Sequence, residues 1–449
     1  MDCKELRRKV IKKYFSEMND MQFEAVTAVN GPVLVLAGAG SGKTTVLVNR
    51  IANLVKFGDG YNSDYSRELT EQEVKWGEDY INGVADYVPN GVFSVSPVNP
   101  WNILAITFTN KAAGELKERI SAKITDGGED IWAGTFHSVC GKILRRYADR
   151  LGFTSHFTIY DTDDQRRLMK EIMRAKNIDD KILPHKSVLS CISSAKDELV
   201  NPAEYKKDAG SDMRKQTIAE LYRIYQKRLK DADAMDFDDM IVKTVELLRE
   251  NPDVHDYYKA KFRYVMVDEY QDTNHAQYVL VSLLAAGLNN ICVVGDDDQS
   301  IYRFRGATIE NILSFEDEFK GAKVIRLEQN YRSTSNILNA ANAVIRNNRA
   351  RKGKNLWTNS GNGDEIEVYT AEDERGEARY VAESILENVR NGARFSDHAV
   401  LYRMNAQSGS LENVFARSGI SYRIIGGMRF FDRKEIKDVI AYLQLINNN

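Results

Sequence analysis

The stretch from Pro32 to Arg50, PVLVLAGAGSGKTTVLVNR, narrows the choice of fold more than any other part of the chain. Val33 to Leu36 is a short apolar run of the kind that forms a strand buried on both faces. Ala37-Gly38-Ala39-Gly40-Ser41-Gly42-Lys43-Thr44 follows, and then a pattern of helical period. Strand, glycine-rich turn, Gly-Lys-Thr and helix together lay out a phosphate-binding loop. Glycines let backbone amides curl around anionic oxygens, and the helix N-terminus adds its positive dipole end. Lys43 would reach the β and γ phosphates of a nucleotide, and the Thr44 hydroxyl would ligate Mg²⁺. The loop opens on Ala37 where glycine is usual, a small departure.

A P-loop strand needs parallel neighbours, and the chain is long enough to supply them. Its 449 residues are enough for about three domains. Apolar residues are 43% of the total, ample for real cores. No apolar run approaches the roughly 20 residues of a membrane span. The charged N-terminus, MDCKELRRKVIKKYF, holds no apolar signal core. Cys3, Cys140, Cys191 and Cys292 are scattered without a Cys-x-x-Cys pair, which argues against zinc or a disulfide framework and fits a reducing cytosol. With a net charge of −3, any polyanionic partner must be held by local basic clusters, not a global field.

Residues 1–30 read as a helix pair, the second capped at Asn19 or Asp20. The P-loop helix ends near Phe57. Residues 58–98 are acidic and tyrosine-rich with scattered Gly and Pro, and are expected to be a surface insertion, partly ordered at best. Ile103 to Thr107 and Trp132 to Thr135 read as strands, and the period is helical almost throughout from Cys140 to Lys261. The α/β pattern resumes at Tyr264 to Val267 and Ile291 to Val294. Short apolar strands alternating with helices imply a parallel, doubly wound α/β sheet. A first α/β domain is expected over 1–115 and 226–308, with a mainly helical insert at 116–225 that lends strand 131–135 to the core. A second α/β domain is expected over 309–425, with strands Lys323 to Leu327, Ile366 to Tyr369, His398 to Leu401 and Tyr422 to Ile425. Residues 426–449 would be a hinge and the start of a further domain. Basic runs in the insert (Lys142, Arg145, Arg146; Arg166, Arg167, Lys170) suit a nucleic-acid surface, although solvated helix faces produce the same pattern more often.

Three further constellations carry chemistry. Val267-Asp268-Glu269-Tyr270-Gln271-Asp272 ends a buried strand in adjacent acids, which is costly unless they face a cleft or a cation. Beside a P-loop, Asp268 would hold Mg²⁺ and Glu269 would polarise the attacking water. In Gly295 to Ala307, Gln299 is placed to sense a γ-phosphate, Tyr302 and Phe304 to stack on bases, and Arg305 to hold a backbone phosphate. In Glu328-Gln329-Asn330-Tyr331-Arg332-Ser333, Arg332 would reach a nucleotide across an interdomain cleft as an arginine finger.

In order, DMQFEAV, AGAGSGKT, AITFTNKAA, GTFHS, DFDD, VDEYQD, GDDDQSIYRFRGA, EQNYRS, LYRMNAQS and IIGGMRFFDRKEIKDVIAYL resemble the signature motifs of superfamily 1 DNA helicases of the UvrD/Rep/PcrA type. The resemblance covers nearly the whole chain apart from 58–98. It implies two RecA-like domains, the second incomplete, and an ATP- and Mg²⁺-dependent motor moving 3′ to 5′ on single-stranded DNA and opening 3′-tailed duplexes. It implies a cytoplasmic, nucleoid-associated enzyme serving repair or replication. The same resemblance assigns Gln22 and Tyr331 to adenine, residues 37–45 (Ala37, Gly38, Ala39, Gly40, Ser41, Gly42, Lys43, Thr44, Thr45) to the nucleotide, and Gln299 and Arg332 to the γ-phosphate. Phe108, Asn110, His137, Phe237, Tyr302, Phe304, Arg305, Arg403 and Asn405 look like the strand-binding set. Thr45 stands where many relatives carry an arginine over the adenine, and Phe304 where tryptophan is usual. The chain stops at Asn449, before the family's last motifs, so weak unwinding by this chain alone is the expectation. The alternatives are a non-unwinding, ATP-gated single-strand clamp and the motor part of a helicase–nuclease.

Overall fold

The computed structural model describes residues 2–425 apart from Asp126, 303–305 and Ala350, and beyond them Glu435, Ile436 and Val439. The chain divides into two compact units, Met1–Asp364 and Glu365–Asn449. Among the described residues no helix is long and apolar enough to cross a membrane.

The first unit is built on a six-stranded parallel sheet. Its strands are β1 (Val33–Ala37), β2 (Ile103–Thr107), β3 (Trp132–Thr135), β6 (Tyr264–Val267), β7 (Ile291–Gly295) and β8 (Lys323–Leu327); the short pair β4 (Thr158–Tyr160) and β5 (Ala234–Asp236) lies apart. The spatial order is β3-β2-β6-β7-β1-β8, all neighbours parallel. Side chains alternate across it with the period of two that a pleated strand imposes. Leu34, Leu36, Leu104, Ile106, Ile291 and Val293 enter one core. Val33, Val35, Ile103, Ala105, Cys292 and Val294 enter the other. Burial on both faces explains the unbroken apolar runs seen in the sequence.

The expected parallel α/β architecture is therefore present, with three corrections to its limits. Lys323–Leu327, assigned to a second domain, is the edge strand of the first sheet, paired with β1 from Val33↔Lys323 to Ala37↔Leu327. Its alternate residues Ile325 and Leu327 complete a core the first unit already owns. The helical insert is also shorter than 116–225. Its separate core runs from Met169 to Ala234, whereas Leu116, Ile120, Val139 and Ile143 pack on the main sheet.

The third correction concerns residues 58–98, which are ordered. Arg7 is buried and donates to the carbonyls of Gly60 (2.6 Å), Tyr65 (2.8 Å) and Ser63 (2.9 Å). A capping box of Thr70 and Glu73 starts the helix Glu71–Ile81. Gly77 lets that helix lie against Leu6 and Phe93, where an added Cβ would come within 2.9 Å of the Phe93 ring. Val88, Phe93 and Val98 then bury in the core of the sheet domain.

In the second unit, the helices Glu374–Arg390 and Ser408–Arg417 share a small core of Ala382, Ile385, Phe415 and Ile420. Tyr369 stacks on Tyr380 at 3.9 Å. The strands expected at 366–369, 398–401 and 422–425 are not formed among the described residues. A parallel strand exists only through its ladder, and these segments pair with none; Val368 is 87% and Leu401 94% exposed. The expected hinge at 426–449 lies outside the described residues save for Glu435, Ile436 and Val439.

Candidate functional site

The loops leaving the carboxyl ends of β1, β6, β7 and β8 emerge at one edge of the sheet, where parallel α/β domains bind ligands. After β1 the chain turns through Gly40 (φ 67°) and Gly42 (φ 86°), both in the left-handed region, and enters the helix Lys43–Lys56. The Ser41 hydroxyl donates to Gly38 O at 2.7 Å and the Gln22 amide donates to Ser41 O at 2.9 Å, so the loop is braced from inside and outside. Asn19 caps the helix Asp20–Thr27 in a reciprocal box with Gln22, which fixes the Gln22 side chain against the loop.

The loop after β8 lies directly on the P-loop. Tyr331 N donates to Gly40 O at 2.9 Å and the Asn330 amide donates to Ala39 O at 2.6 Å. A Cβ at Gly40 would sit 2.7 Å from Asn330 Nδ2 and 2.8 Å from Arg332 Cβ, so only glycine admits this approach. Asn330 Oδ1 also accepts from the backbone N–H of Arg332 (2.8 Å) and Ser333 (2.7 Å), folding the segment into a tight turn. Tyr331 and Arg332 thus stand exposed beside the phosphate loop, within the first unit. This corrects the expectation that Arg332 reaches in from a second domain. The Tyr331 hydroxyl is tied to Asn19 (2.9 Å) and Gln329 (3.1 Å).

At the end of β6, Lys43 Nζ donates to Glu269 Oε2 at 2.8 Å, joining the P-loop to the acidic strand end. Glu269 has φ 50°, a left-handed conformation uncommon for a residue with a side chain. Asp268 beside it is buried and accepts from Glu269 N at 3.0 Å. Burial, with the Glu269 charge adding and Lys43 opposing, pushes the Asp268 carboxyl up to about 6. A buried carboxylate held at such a cost on β6, and a threonine hydroxyl at the first turn of the P-loop helix, are hard oxygen donors of the kind Mg²⁺ takes. Thr44 is half-buried and Thr45 exposed.

After β7, Gln299 donates to Asp296, and Asp296 to Asp298 form a compact acidic cluster. Two cations face this cluster. The Lys354 ammonium, buried, reaches Asp296 (2.9 Å), Asp297 and Asp298 (3.1 Å), and Arg351 pairs with Asp298 at 2.7 Å.

The proposed strand-binding residues divide into four groups. Phe108, His137 and Tyr302 line one cleft of about 480 Å³ with Asp197, Asn274 and Gly306. Phe108 meets Phe136 edge-on at 5.4 Å, and His137 meets Phe237 at 5.5 Å. Phe237 is exposed, and the DFDD motif explains why: Asp236 and Asp239 turn inward to buried Lys196 (2.7 and 2.9 Å), which leaves the ring between them outside. Burial holds the His137 ring below its usual pKa. Asn110 opens the exposed N-terminus of the helix Asn110–Lys123. Arg403 and Asn405 lie in the second unit at the turn Asn405–Gln407. Phe304 and Arg305 lie outside the described residues.

Sequence reasoning missed Asn330, Gln271, Arg351 and Lys354. The first two sat inside motifs already quoted, EQNYRS and VDEYQD, and the last two carried no local signal.

Comparison with known proteins agrees with this geometry. The UvrD/REP helicase N-terminal domain model matches residues 18–63 and 92–320, and the UvrD-like helicase C-terminal domain model matches 325–449. The ordered insertion falls largely in the gap between the matched segments. The ATP-dependent DNA helicase PcrA of Staphylococcus aureus is 48% identical over 434 residues, 97% of this chain and 54% of the relative. PcrA of Staphylococcus epidermidis is 47% identical over 432 residues, with 96% and 54% covered. This chain thus spans about half the length of the curated relatives it matches. With both domain models matched and the motif loops gathered at one sheet edge, the chain belongs to the UvrD/REP helicase family.

Proposed function

We propose that this chain is the ATP-hydrolysing and strand-gripping part of a DNA helicase that moves 3′ to 5′ on single-stranded DNA and opens 3′-tailed duplexes. The observation that carries the reading is the 2.8 Å ion pair between Lys43 and Glu269. The pair supports the reading because it sets a cation of the P-loop against a carboxylate at the acidic strand end.

ATP enters at the P-loop, where Gln22 and Tyr331 flank the adenine and the amides of residues 38–44 receive the phosphates. Lys43 leaves Glu269 for the β and γ phosphates, and Glu269 is freed to orient and deprotonate the attacking water. Thr44 and Asp268 would hold Mg²⁺, which would supply positive charge to neutralise that building on the transferred phosphoryl group. Gln299 and Arg332 read the γ-phosphate. Phe108, His137, Phe237 and Tyr302, with Phe304, Arg305, Asn110, Arg403 and Asn405, hold the strand. Stacking is worth about 1–3 kcal/mol per base and tolerates any sequence, which suits a grip that must release and re-form. Direction follows from a difference in strand affinity between the ATP-bound and ATP-free states. The protein acts in the cytoplasm on nucleoid DNA.

DNA-stimulated ATP hydrolysis, with Glu269→Gln as control, tests this. The expected result is hydrolysis that rises with single-stranded DNA and collapses by about 10² or more in the variant. Equal turnover in both proteins would overturn the assignment. Strand displacement on 3′-tailed against 5′-tailed duplexes tests polarity.

A further inference from the structure

One buried side chain next to the proposed catalytic glutamate has been given no role above. Gln271 is 2% exposed. Its Nε2 donates at 2.8 Å to Glu269 Oε2, the same oxygen that receives Lys43. Its Oε1 accepts from Asp296 N at 2.9 Å. Its backbone carbonyl accepts from the Ser300 hydroxyl at 3.3 Å. Gly295 makes room for this arrangement, since a Cβ there would lie 2.7 Å from Gln271 Oε1. Asp296 in turn holds Gln299 and Lys354.

We infer that Gln271 is the positioning residue for Glu269, holding its carboxylate in place once Lys43 has moved to the phosphates and tying it to the loop that carries Gln299. The inference rests on the assignment of Glu269 made above. Glu269 Oε2 has two donors, and a nucleotide that draws Lys43 to its phosphates withdraws one of them. Gln271 is then the remaining side-chain donor, and it is itself fixed at its far end by a backbone N–H. A carboxamide suits both contacts. It offers a donor at one end and an acceptor at the other. A glutamate would face Glu269 with a second negative charge, and an aliphatic side chain would meet neither partner. Glu269 needs such help because its left-handed backbone conformation persists only where surroundings hold it. A base must also stay within hydrogen-bond reach of its water, and a shift of about 1 Å can lower the rate about 10²-fold.

The test uses the full chain with saturating single-stranded DNA and two variants that disturb one amide from opposite sides, Gln271→Glu and Gly295→Ala. Steady-state ATP hydrolysis gives kcat and KM, and titration with a fluorescent ATP analogue gives nucleotide affinity independently of turnover. Both variants are expected to lose about 10²-fold in kcat while KM and analogue affinity stay close to wild type. Gln271→Glu combined with Glu269→Gln should be no slower than Glu269→Gln alone. Three outcomes overturn the inference: kcat preserved in Gln271→Glu, losses that multiply in the double variant, or analogue affinity falling in step with kcat in both variants. Failure of the underlying assignment looks different, because wild type and Glu269→Gln would then hydrolyse ATP equally.

Discussion

Asp197 titrates near neutrality because burial opposes its charge. Its carboxyl is pushed up to about 7 by desolvation, with Asp238 and Glu198 adding and the hydrogen bond from Asn274 opposing. It lies in the cleft lined by Phe108, His137 and Tyr302, beside Lys196. The folded protein therefore keeps a proton that the unfolded chain has lost at an ordinary carboxyl value. Stability falls as pH rises from about 4 toward about 7, and the penalty is complete above that. The same ionisation adds a negative charge to the cleft proposed to hold the strand. Single-stranded DNA should bind several-fold more tightly at about pH 6 than at about pH 8. Asp197→Asn should flatten that profile and raise the urea midpoint above neutrality. Fluorescence anisotropy with a labelled oligonucleotide and urea melts at the two pH values check both statements. A second single-site expectation concerns Arg7, whose guanidinium is spent on three carbonyls of the insertion. Arg7→Ala should destabilise by about 2–4 kcal/mol and open 58–98 to protease, with ATP turnover of the remaining folded protein little changed.

Strands and loops were read from the sequence with unequal success, and the reason is range. β1, β2, β6 and β7 were legible because both faces are buried and the apolar run is continuous. The strand-end acids and the P-loop were legible because their chemistry requires adjacent residues. The partner of β8 was not legible, since KVIRL says nothing about which sheet edge receives it. The insertion was misread for a related reason: Arg7, its clasp, lies far upstream. Gln271 and Asn330 were invisible because carboxamides reveal their work only through what they bridge. The loop after β8 yields its own prediction. Gly40→Ala adds a Cβ at a positive φ, worth about 1–2 kcal/mol of strain, and drives it into Asn330 and Arg332. ATP-analogue affinity should fall by about tenfold or more, while binding of single-stranded DNA without nucleotide is retained. Isothermal titration of each ligand separates the two.

At the scale of this whole chain, a net charge of −3 means that no overall field draws in a polyanion. Strand affinity must come from a few local cations and from stacking. The logarithm of the binding constant should therefore fall with the logarithm of salt concentration at a shallow slope, about −0.7 for each phosphate neutralised. A slope of only a few, measured by salt titration, fits this picture; a slope near ten would point to an extended basic track. The second unit stayed hardest to read because its apolar segments, Val368 and Leu401 among them, carry strand-like sequence without the hydrogen-bonded neighbours that make a strand.

The pairing of Ala37 with Leu327 has one more consequence. The phosphate cradle and the turn bearing Tyr331 and Arg332 spring from adjacent rungs of one ladder, stitched again by Asn330. No joint separates them. A displacement of the cradle would carry the tyrosine and arginine along with it, like two fingers of one glove.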